Sequence, residues 1–281
     1  MTDTMTEDGV RIARDYYDSD EADDFYATIW GGEDLHLGIY ESDTDSIFTA
    51  SRRTIDRMAE LSQKLTPQSR VLDIGAGFGG TARHLAERHG CRVTCLNLSE
   101  VENARNRSMN EAAGLDGQIQ VVDGDFRRLP FPDRAFDVVW SQDAILHSDD
   151  RAGVLREACR VLRDGGELVF TDPMQSDDCP PGVLDPILER IHLASLGSPR
   201  FYRTEAEKLG LRVIAIEDQT PNLIRHYASV LAETEKQEGI LRAKGVSKEY
   251  LDNMKRGLAR WVDGGMRGWL AWSIFVFRKA D

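Results

Sequence analysis

Short β-branched and aliphatic runs alternate with longer amphipathic segments over most of this chain, beginning near residue 70. Short apolar runs bounded by polar or glycine-rich stretches are typical of buried strands. The strands predicted in this way are 70–74, 92–97, 118–122, 136–141 and 166–172. The helices predicted between them lie near 79–89, 100–113 and 149–163. Because parallel strands need such crossover helices, the alternation predicts a doubly wound α/β fold.

Two further strands extend this sheet toward the end of the chain. They are predicted at 211–217 and 270–278, and the last, from Leu270 to Phe277, is expected to end the sheet. The sheet would then have seven strands joined by right-handed crossovers. Ligands bind outside the carboxyl ends of the strands in sheets of this kind, which locates the expected site.

The first 65 residues predict a helical cap on a core of residues 66–281. Helical spacing is present from Val10 to Tyr17 and from Ala22 to Trp30, where a pair of glycines ends the second helix. A longer amphipathic helix is predicted from Ile47 to Leu65, with its apolar residues on one side.

Two insertions in the core do not fit a minimal sheet. Residues 173–200 are rich in Pro and Asp. Residues 219–268 are predicted to be helical, with a glycine-rich turn at Asp263-Gly264-Gly265. Since both insertions follow late strands of the sheet, we expect them to join the N-terminal helices in covering the ligand crevice.

Composition places the chain among globular proteins, because 41% of its 281 residues are hydrophobic and 30% are charged. No apolar run approaches the ~20 residues that span a bilayer. The acidic N-terminus, Met1 to Asp8, lacks the basic and apolar regions of a secretory signal. These features predict a cytoplasmic protein without a membrane partner.

The formal net charge of −13 argues against nucleic acid as a partner, because no local basic patch offsets it. Such an acidic excess is also tolerated in a saline cytoplasm, where salt screens self-repulsion, so a halophilic source is one interpretation. The cysteines show no spacing typical of metal ligands, and we expect reduced thiols and no metal site. They are Cys91, Cys95, Cys159 and Cys179.

The stretch from Val71 to Gly80 carries the first chemical signal. An apolar run reaches an acid and a glycine cluster before a helix begins, which predicts a strand, a tight turn and a helix N-terminus suited to an anionic group. Gly75, Gly77 and Gly80 match the dinucleotide fingerprint. Gly75, Gly77 and Gly79 equally match D-x-G-x-G-x-G, the signature of S-adenosylmethionine (SAM) sites. The glycines alone leave both cofactors open.

Residues near the next strands decide between the cofactors. Both kinds of site usually place an acid at the end of the second strand, where Asn97 offers hydrogen bonds without charge. From Gly124 to Val139 the chain matches G-D-x-x-x-L-P-F-x-D-x-x-F-D-V-V, and Arg160 to Leu168 is similar to R-V-L-K-P-G-G. Both segments resemble class I SAM-dependent methyltransferases, which have a Rossmann-like fold. The resemblance implies that Asp125 reads the adenine amino group and that Phe126 packs on its ring.

Further segments narrow this resemblance. They are Phe25–Tyr40, Val93–Leu98, Trp140–Ser148 and Thr171–Met174. With them, nearly the whole chain resembles the sarcosine/dimethylglycine N-methyltransferases, which implies SAM-dependent conversion of sarcosine or dimethylglycine to glycine betaine, with S-adenosylhomocysteine released. Alternatives are methylation of phosphoethanolamine, glycine or a carbon nucleophile, and a non-catalytic SAM-binding subunit.

The resemblance also implies a set of cofactor-binding residues at the carboxyl ends of the strands and in the cap. They are Tyr26, His36, Leu37, Asp73, Gly75, Gly77, Asn97, Leu98, Asp125, Phe126 and Gln142. For catalysis, the attacking amine must be unprotonated and in line with the methyl donor. His147, with an ordinary pKa of ~6.5, is the candidate base. Resemblance to phosphoethanolamine methyltransferases implies that Tyr17 pairs with it.

Four residues are candidates for substrate binding. Asp143 either attracts the cationic nitrogen or caps the helix that follows. Trp30 either packs in the core or offers a ring face to that nitrogen, worth ~0.5–2 kcal/mol. A substrate carboxylate suits the planar fork of a guanidinium, for which Arg225, beside Tyr227 in the cap, is the first candidate. The alternative arginines are Arg200 and Arg203.

Overall fold

The strands of the computed structural model, which describes residues 20–30 and 32–281, follow the apolar runs of the sequence. Seven strands form one sheet within these residues. They are β1 Arg70–Ile74, β2 Arg92–Asn97, β3 Ile119–Asp123, β4 Phe136–Gln142, β5 Leu162–Gln175, β6 Leu211–Asp218 and β7 Leu270–Lys279.

Helices precede and connect these strands. They are α1 Asp20–Ile29, α2 Ile47–Leu61, α3 Gly80–His89, α4 Glu100–Ala112, a 3-10 helix Ile145–His147, α5 Arg151–Val161, α6 Asp185–Leu188, α7 Pro199–Lys208, α8 Thr220–Ala243 and α9 Lys248–Met266. Ser46, Ser99 and Asp150 cap the first turns of α2, α4 and α5 by accepting a main-chain hydrogen bond. None of the helices in the described ranges combines the length and the apolar character that a bilayer span requires.

The strand order is β3-β2-β1-β4-β5-β7-β6, which confirms the predicted doubly wound fold. The pairs from β3 to β5 are parallel, whereas β7 runs antiparallel to both β5 and β6. The expectation that Leu270 to Phe277 forms the last strand of the sheet is wrong, because β7 lies between β5 and β6 and is buried over these residues. The chain reverses its direction of growth between β1 and β4, where a ligand crevice is expected.

Alternating side chains of the central strands build an apolar layer on each side of the sheet. Leu72 and Val139 belong to a cluster that also contains residues of α5 and α7. Val71 and Val138, their neighbours in sequence, cluster with residues of α2 and α3. The central strands are consequently buried on both faces and hold their carboxyl ends at fixed positions.

The helices outside the sheet pack on one another. Phe25 and Trp30 share an apolar cluster with Val230 of α8 and Leu251 of α9. The described part of the N-terminal segment thus packs on the helices of the second insertion. The division into a cap of residues 1–65 and a core of residues 66–281 stays a prediction.

The glycine-rich turn expected at Asp263-Gly264-Gly265 is instead part of α9, which continues to Met266. A Cβ at Gly265 would stand 2.5 Å from Ile224 Cγ1 on α8. A Cβ at Gly264 would stand 3.0 Å from Leu270 Cδ1 on β7. These glycines allow α9 to approach its neighbours closely, which explains their presence inside a helix despite the lower helix propensity of glycine.

Candidate active site

A cavity of about 610 Å³ opens at the carboxyl ends of β1, β2 and β4. Its wall combines the turn after β1, the 3-10 helix after β4 and residues of α1, α8 and α9. Most of the site residues predicted from the sequence line it. They are Tyr26, Trp30, His36, Leu37, Asp73, Gly75, Gly77, Asn97, Leu98, Asp125, Phe126, Gln142, Asp143, His147 and Tyr227. The fold thus gathers them from segments that are far apart in the sequence.

The turn between β1 and α3 presents its main chain to the cavity. Gly75 and Gly77 have φ values of +76° and +50°, a left-handed conformation that glycine adopts at low cost. A Cβ at Gly75 would also collide with Cβ of Ala144. Gly79 precedes α3 and provides no side-chain cap. The buried carboxylate of Asp34 lies against Gly80 at this helix N-terminus, where the helix dipole favours a negative charge.

Several buried polar atoms at the cavity have no hydrogen-bond partner among the described residues, and atoms of Asp73 and Gln142 are among them. Asp73 is 2% exposed, burial raises its pKa to about 7, and its Oδ2 is unpartnered. Gln142 accepts hydrogen bonds at Oε1 from Thr81 Oγ1 (2.7 Å) and Trp140 Nε1 (2.9 Å), but its Nε2 is unpartnered. An unpaired buried polar group costs about 1–3 kcal/mol. One acceptor and one donor at the same cavity therefore indicate a polar ligand.

The carboxylate of Glu102, which was not predicted from the sequence, accepts a hydrogen bond from Asn97 at the cavity. Asn97 Nδ2 donates to Glu102 Oε2 at 2.7 Å, and Glu102 lines the cavity with 8% exposure. Ser99 Oγ accepts from Glu102 N at 3.1 Å, so the two residues also follow the sequence pattern of a capping box. That pattern was visible in the sequence, but it pointed to helix initiation and not to a ligand.

The carboxylate of Asp125 is held by a neighbouring arginine. Arg127 donates from Nη2 to Oδ2 at 2.7 Å and from its main-chain N to Oδ1 at 2.8 Å. The half-buried ring of Phe126 packs against the apolar cluster of β1 and β4. Both predicted adenine contacts thus lie on one short loop after β3, at the cavity wall.

His147 ends the 3-10 helix after β4 and lines the cavity. Burial, and to a lesser degree the nearby Arg151 guanidinium, lower the pKa of His147 to about 4. The imidazole is therefore neutral near pH 7 and can accept a hydrogen bond at one ring nitrogen. Its predicted partner, Tyr17, lies outside the described residues.

Asp143 connects the sheet to the loop after α1. Its Oδ2 accepts from Leu37 N at 2.7 Å, and its Oδ1 accepts from Thr171 Oγ1 and Trp272 Nε1, both at 2.8 Å. Burial raises the pKa of Asp143 although these donors oppose the shift. The alternative that Asp143 caps the following helix is wrong, because its carboxylate is directed to these donors and the 3-10 helix has no side-chain cap.

Arg225, predicted to bind a substrate carboxylate, is not brought to this cavity. Its guanidinium donates to Asp43 Oδ1 at 2.6 Å and lies 5.2 Å from the ring centre of Tyr40. Residues two apart on a helix point about 200° apart, so Arg225 and the cavity-lining Tyr227 face different directions. Of the alternatives, Arg200 and Arg203 are 70% and 61% exposed beside surface carboxylates.

Comparisons with known proteins show which family this chain is similar to. A family model described as a methyltransferase domain matches residues 72–170. The sarcosine/dimethylglycine N-methyltransferase of Halorhodospira halochloris is 54% identical over 279 residues, which cover 99% of this chain and 100% of the relative. The enzyme of the same name from Aphanothece halophytica is 52% identical, over 95% and 96%. A solved structure, a putative sarcosine dimethylglycine methyltransferase from Galdieria sulphuraria, is 41% identical over 95% and 99%, with a TM-score of 0.89.

Proposed function

Since this chain belongs to the sarcosine/dimethylglycine N-methyltransferase family of SAM-dependent enzymes, we propose that it methylates the nitrogen of sarcosine and dimethylglycine to form glycine betaine. The composition of the cavity is the main structural support for this proposal. A single cavity brings together a glycine turn, the unpaired buried polar atoms of Asp73 and Gln142, and the neutral imidazole of His147. The glycine turn and the polar atoms suit the cofactor, and the imidazole suits an amine.

The residues of the cavity fit SAM, which supplies an electrophilic methyl group on a sulfonium when bound. The free Oδ2 of Asp73 suits an ammonium group. Asn97 and Glu102 together offer hydrogen bonds to ribose hydroxyls, and the carboxylate compensates for the uncharged amide. The loop with Asp125 and Phe126 is our candidate for adenine binding.

His147 supports the proposal as a positioning group for the amine. An imidazole with a pKa of about 4 is a weak base toward an ammonium ion. It can nevertheless accept the N–H of unprotonated sarcosine, which leaves the nitrogen lone pair free to point at the methyl group. Dimethylglycine has no N–H as the free amine, so its ammonium form must first lose its proton, to this imidazole or to water. Tyr26 and Trp30, whose ring centres are 5.1 Å apart, present aromatic surface at the same cavity for the methylated cation.

Product analysis by mass spectrometry tests the proposed function. The purified protein with SAM is expected to convert sarcosine to dimethylglycine and dimethylglycine to betaine, with release of S-adenosylhomocysteine. Phosphoethanolamine and glycine serve as competing substrates. Preferred methylation of either would contradict the proposal, and no product from any amine would favour a SAM-binding subunit.

His147→Ala provides the matching test of the amine site. Turnover should fall far more than affinity for SAM, because the imidazole is assigned to the amine. Calorimetric titration with SAM and a steady-state assay with dimethylglycine give the two quantities. Equal losses in both would mean that His147 has a structural role only.

A further inference from the structure

Three arginines of the described chain line the cavity, and two of them are already engaged. Arg127 is paired with Asp125 at 2.7 Å. Arg151 donates to the main-chain oxygen of Leu146 at 2.7 Å and to Ser195 Oγ at 3.2 Å. Both guanidinium groups thus hold segments of the cavity wall together. The third arginine, Arg190, differs from them.

Arg190 follows α6 in the first insertion, and no acidic residue among those the structure describes is paired with its charge. The Nη2 of its guanidinium lies against the sulfur of Met254. In the parts of the chain that the structure describes, no aspartate or glutamate forms an ion pair with it. A thioether is a weak acceptor for a cationic donor. The described residues therefore leave most of the hydrogen-bonding capacity of this half-buried guanidinium to solvent or to a ligand.

The fold makes specific room for this guanidinium on α9. A Cβ at Gly257 would stand 2.6 Å from Arg190 Cζ, so no other residue at this position leaves the side chain where it is. Gly257 lies inside α9 and its backbone does not need a left-handed conformation. Glycine inside a helix is unfavourable relative to alanine, and at this position it leaves open the space that the Arg190 side chain occupies.

The surroundings of Arg190 are apolar and aromatic. Met254, Leu258 and Trp261 line the same part of α9, and Trp261 stacks on Tyr227 of α8 with ring centres 4.8 Å apart. A half-buried cation among such side chains is stabilised by an anion that excludes water. A planar carboxylate matches the fork of a guanidinium by forming two parallel hydrogen bonds.

We propose that Arg190 binds the carboxylate of the amino-acid substrate and thereby selects amines that carry one. This inference rests on the proposed function, since it assigns the acid group of sarcosine and dimethylglycine to a residue. Arg190 takes the place that the sequence suggested for Arg225. Gly257 acts as a positioning residue, because it lets the guanidinium lie against α9 and face the cavity.

Arg190→Met tests the proposal with dimethylglycine and its neutral amide as paired ligands. The variant is expected to raise KM for dimethylglycine roughly 10- to 100-fold, the range for a lost charge-assisted pair. The KM for SAM and the weak reaction of the amide should stay within about twofold. Calorimetric titration of dimethylglycine in the presence of S-adenosylhomocysteine should show the same loss without turnover.

Two further variants separate charge from structure. Gly257→Ala keeps the arginine but displaces it, and should reproduce the selective loss for dimethylglycine with a native circular-dichroism spectrum. Arg225→Met, outside the cavity, should behave as wild type. An unchanged KM for dimethylglycine in Arg190→Met, or an equal loss for the amide, would overturn the assignment. If the wild type itself methylates neither sarcosine nor dimethylglycine, the proposed function is wrong. This outcome differs from a failure of the Arg190 assignment, which appears only in the variants.

Discussion

Asp73, which is buried, and Asp143, which is half-buried, are carboxylates at the same cavity, yet their hydrogen bonds give them different chemistry. Both oxygens of Asp143 accept from donors of the protein, one of which is the main chain of Leu37. Asp73 keeps one oxygen without a partner among the described residues. A carboxylate that is already saturated stabilises the fold, whereas an unsaturated one gains most from a ligand. At the scale of single residues, Asp73 is therefore our candidate for recognition of a cationic ligand group.

The raised pKa of Asp73 predicts a pH dependence of SAM binding. Burial raises this pKa to about 7, so the carboxyl becomes neutral below that pH and loses its attraction for an ammonium group. The dissociation constant for SAM should rise as pH falls from 8 to 5.5, by up to about tenfold per unit. Calorimetry across this range should show a flat profile for Asp73→Asn. The control is Asp123→Asn, at the end of β3 but outside the cavity wall, which should keep the pH dependence of the wild type. If SAM binding to the wild-type protein does not change with pH, the assignment of Asp73 is wrong.

Glu102→Gln tests whether the carboxylate behind Asn97 contributes to cofactor binding. The substitution keeps the shape of the side chain but removes its charge, and should weaken SAM binding by about 1–2 kcal/mol. Glu100→Gln is the matched control, because Glu100 lies in the same first turn of α4 and is exposed. Both variants lose the same favourable interaction with the helix dipole. If titration with SAM gives equal losses for both, the effect belongs to the helix and not to the site.

At the level of the helices, two glycines at helical positions differ in their packing. Gly265 of α9 faces α8, where a Cβ would stand 2.5 Å from Ile224 Cγ1. Gly239 of α8 is exposed and has no atom within 4 Å of such a Cβ. Helix propensity disfavours glycine equally at both positions. Packing therefore decides which of the two is replaceable.

This difference predicts opposite effects of the same substitution. Gly239→Ala should raise the free energy of unfolding by about 0.5–1 kcal/mol, because alanine lowers the entropy cost of the helix. Gly265→Ala should lower it by about 1–3 kcal/mol, because the added methyl group overpacks the contact between α9 and α8. Urea unfolding of the three proteins gives both values. Stabilisation by both substitutions would show that α9 relaxes away from α8.

At the scale of the whole molecule, the loop after α1 connects the cap helices to the sheet. Leu37 N donates to Asp143 at the end of β4, and Gly38 N donates to His226 Nδ1 on α8 at 3.0 Å. His226 is fully buried, and burial lowers its pKa to about 3. Because its Nδ1 accepts from the main chain, protonation of this nitrogen would break the connection.

The lowered pKa of His226 predicts a loss of stability in acid. The unfolded chain binds a proton at this residue near pH ~6.5, whereas the folded protein does so only near pH 3. The unfolded state therefore binds more protons within this interval, and the free energy of unfolding falls by up to about 1.4 kcal/mol per unit as pH falls. Asp73 and Asp172, with pKa values raised to about 7 by burial, act in the opposite direction.

A variant of His226 that cannot titrate separates the contribution of this histidine to the pH dependence of stability. His226→Asn retains an acceptor near the position of Nδ1 but cannot titrate, so it should lose less stability between pH 7 and pH 5 than the wild type. Urea unfolding at the two pH values gives the difference. His192→Asn, at an exposed position, should keep the slope of the wild type. Parallel losses in the wild type and His226→Asn would contradict the prediction.

The local features are readable in the sequence alone: the alternation of strands and helices, the turn at Gly75 and Gly77, and the motifs that resemble a SAM-dependent methyltransferase. These depend on residues close together in the chain, whose periodicity and backbone preferences are readable there. That Arg190, and not Arg225, faces the cavity became clear from the packed structure, because it depends on helix phase and on the space left by Gly257. The same holds for the donors to Asp143 and for the interior position of β7, since both arise from contacts between distant segments.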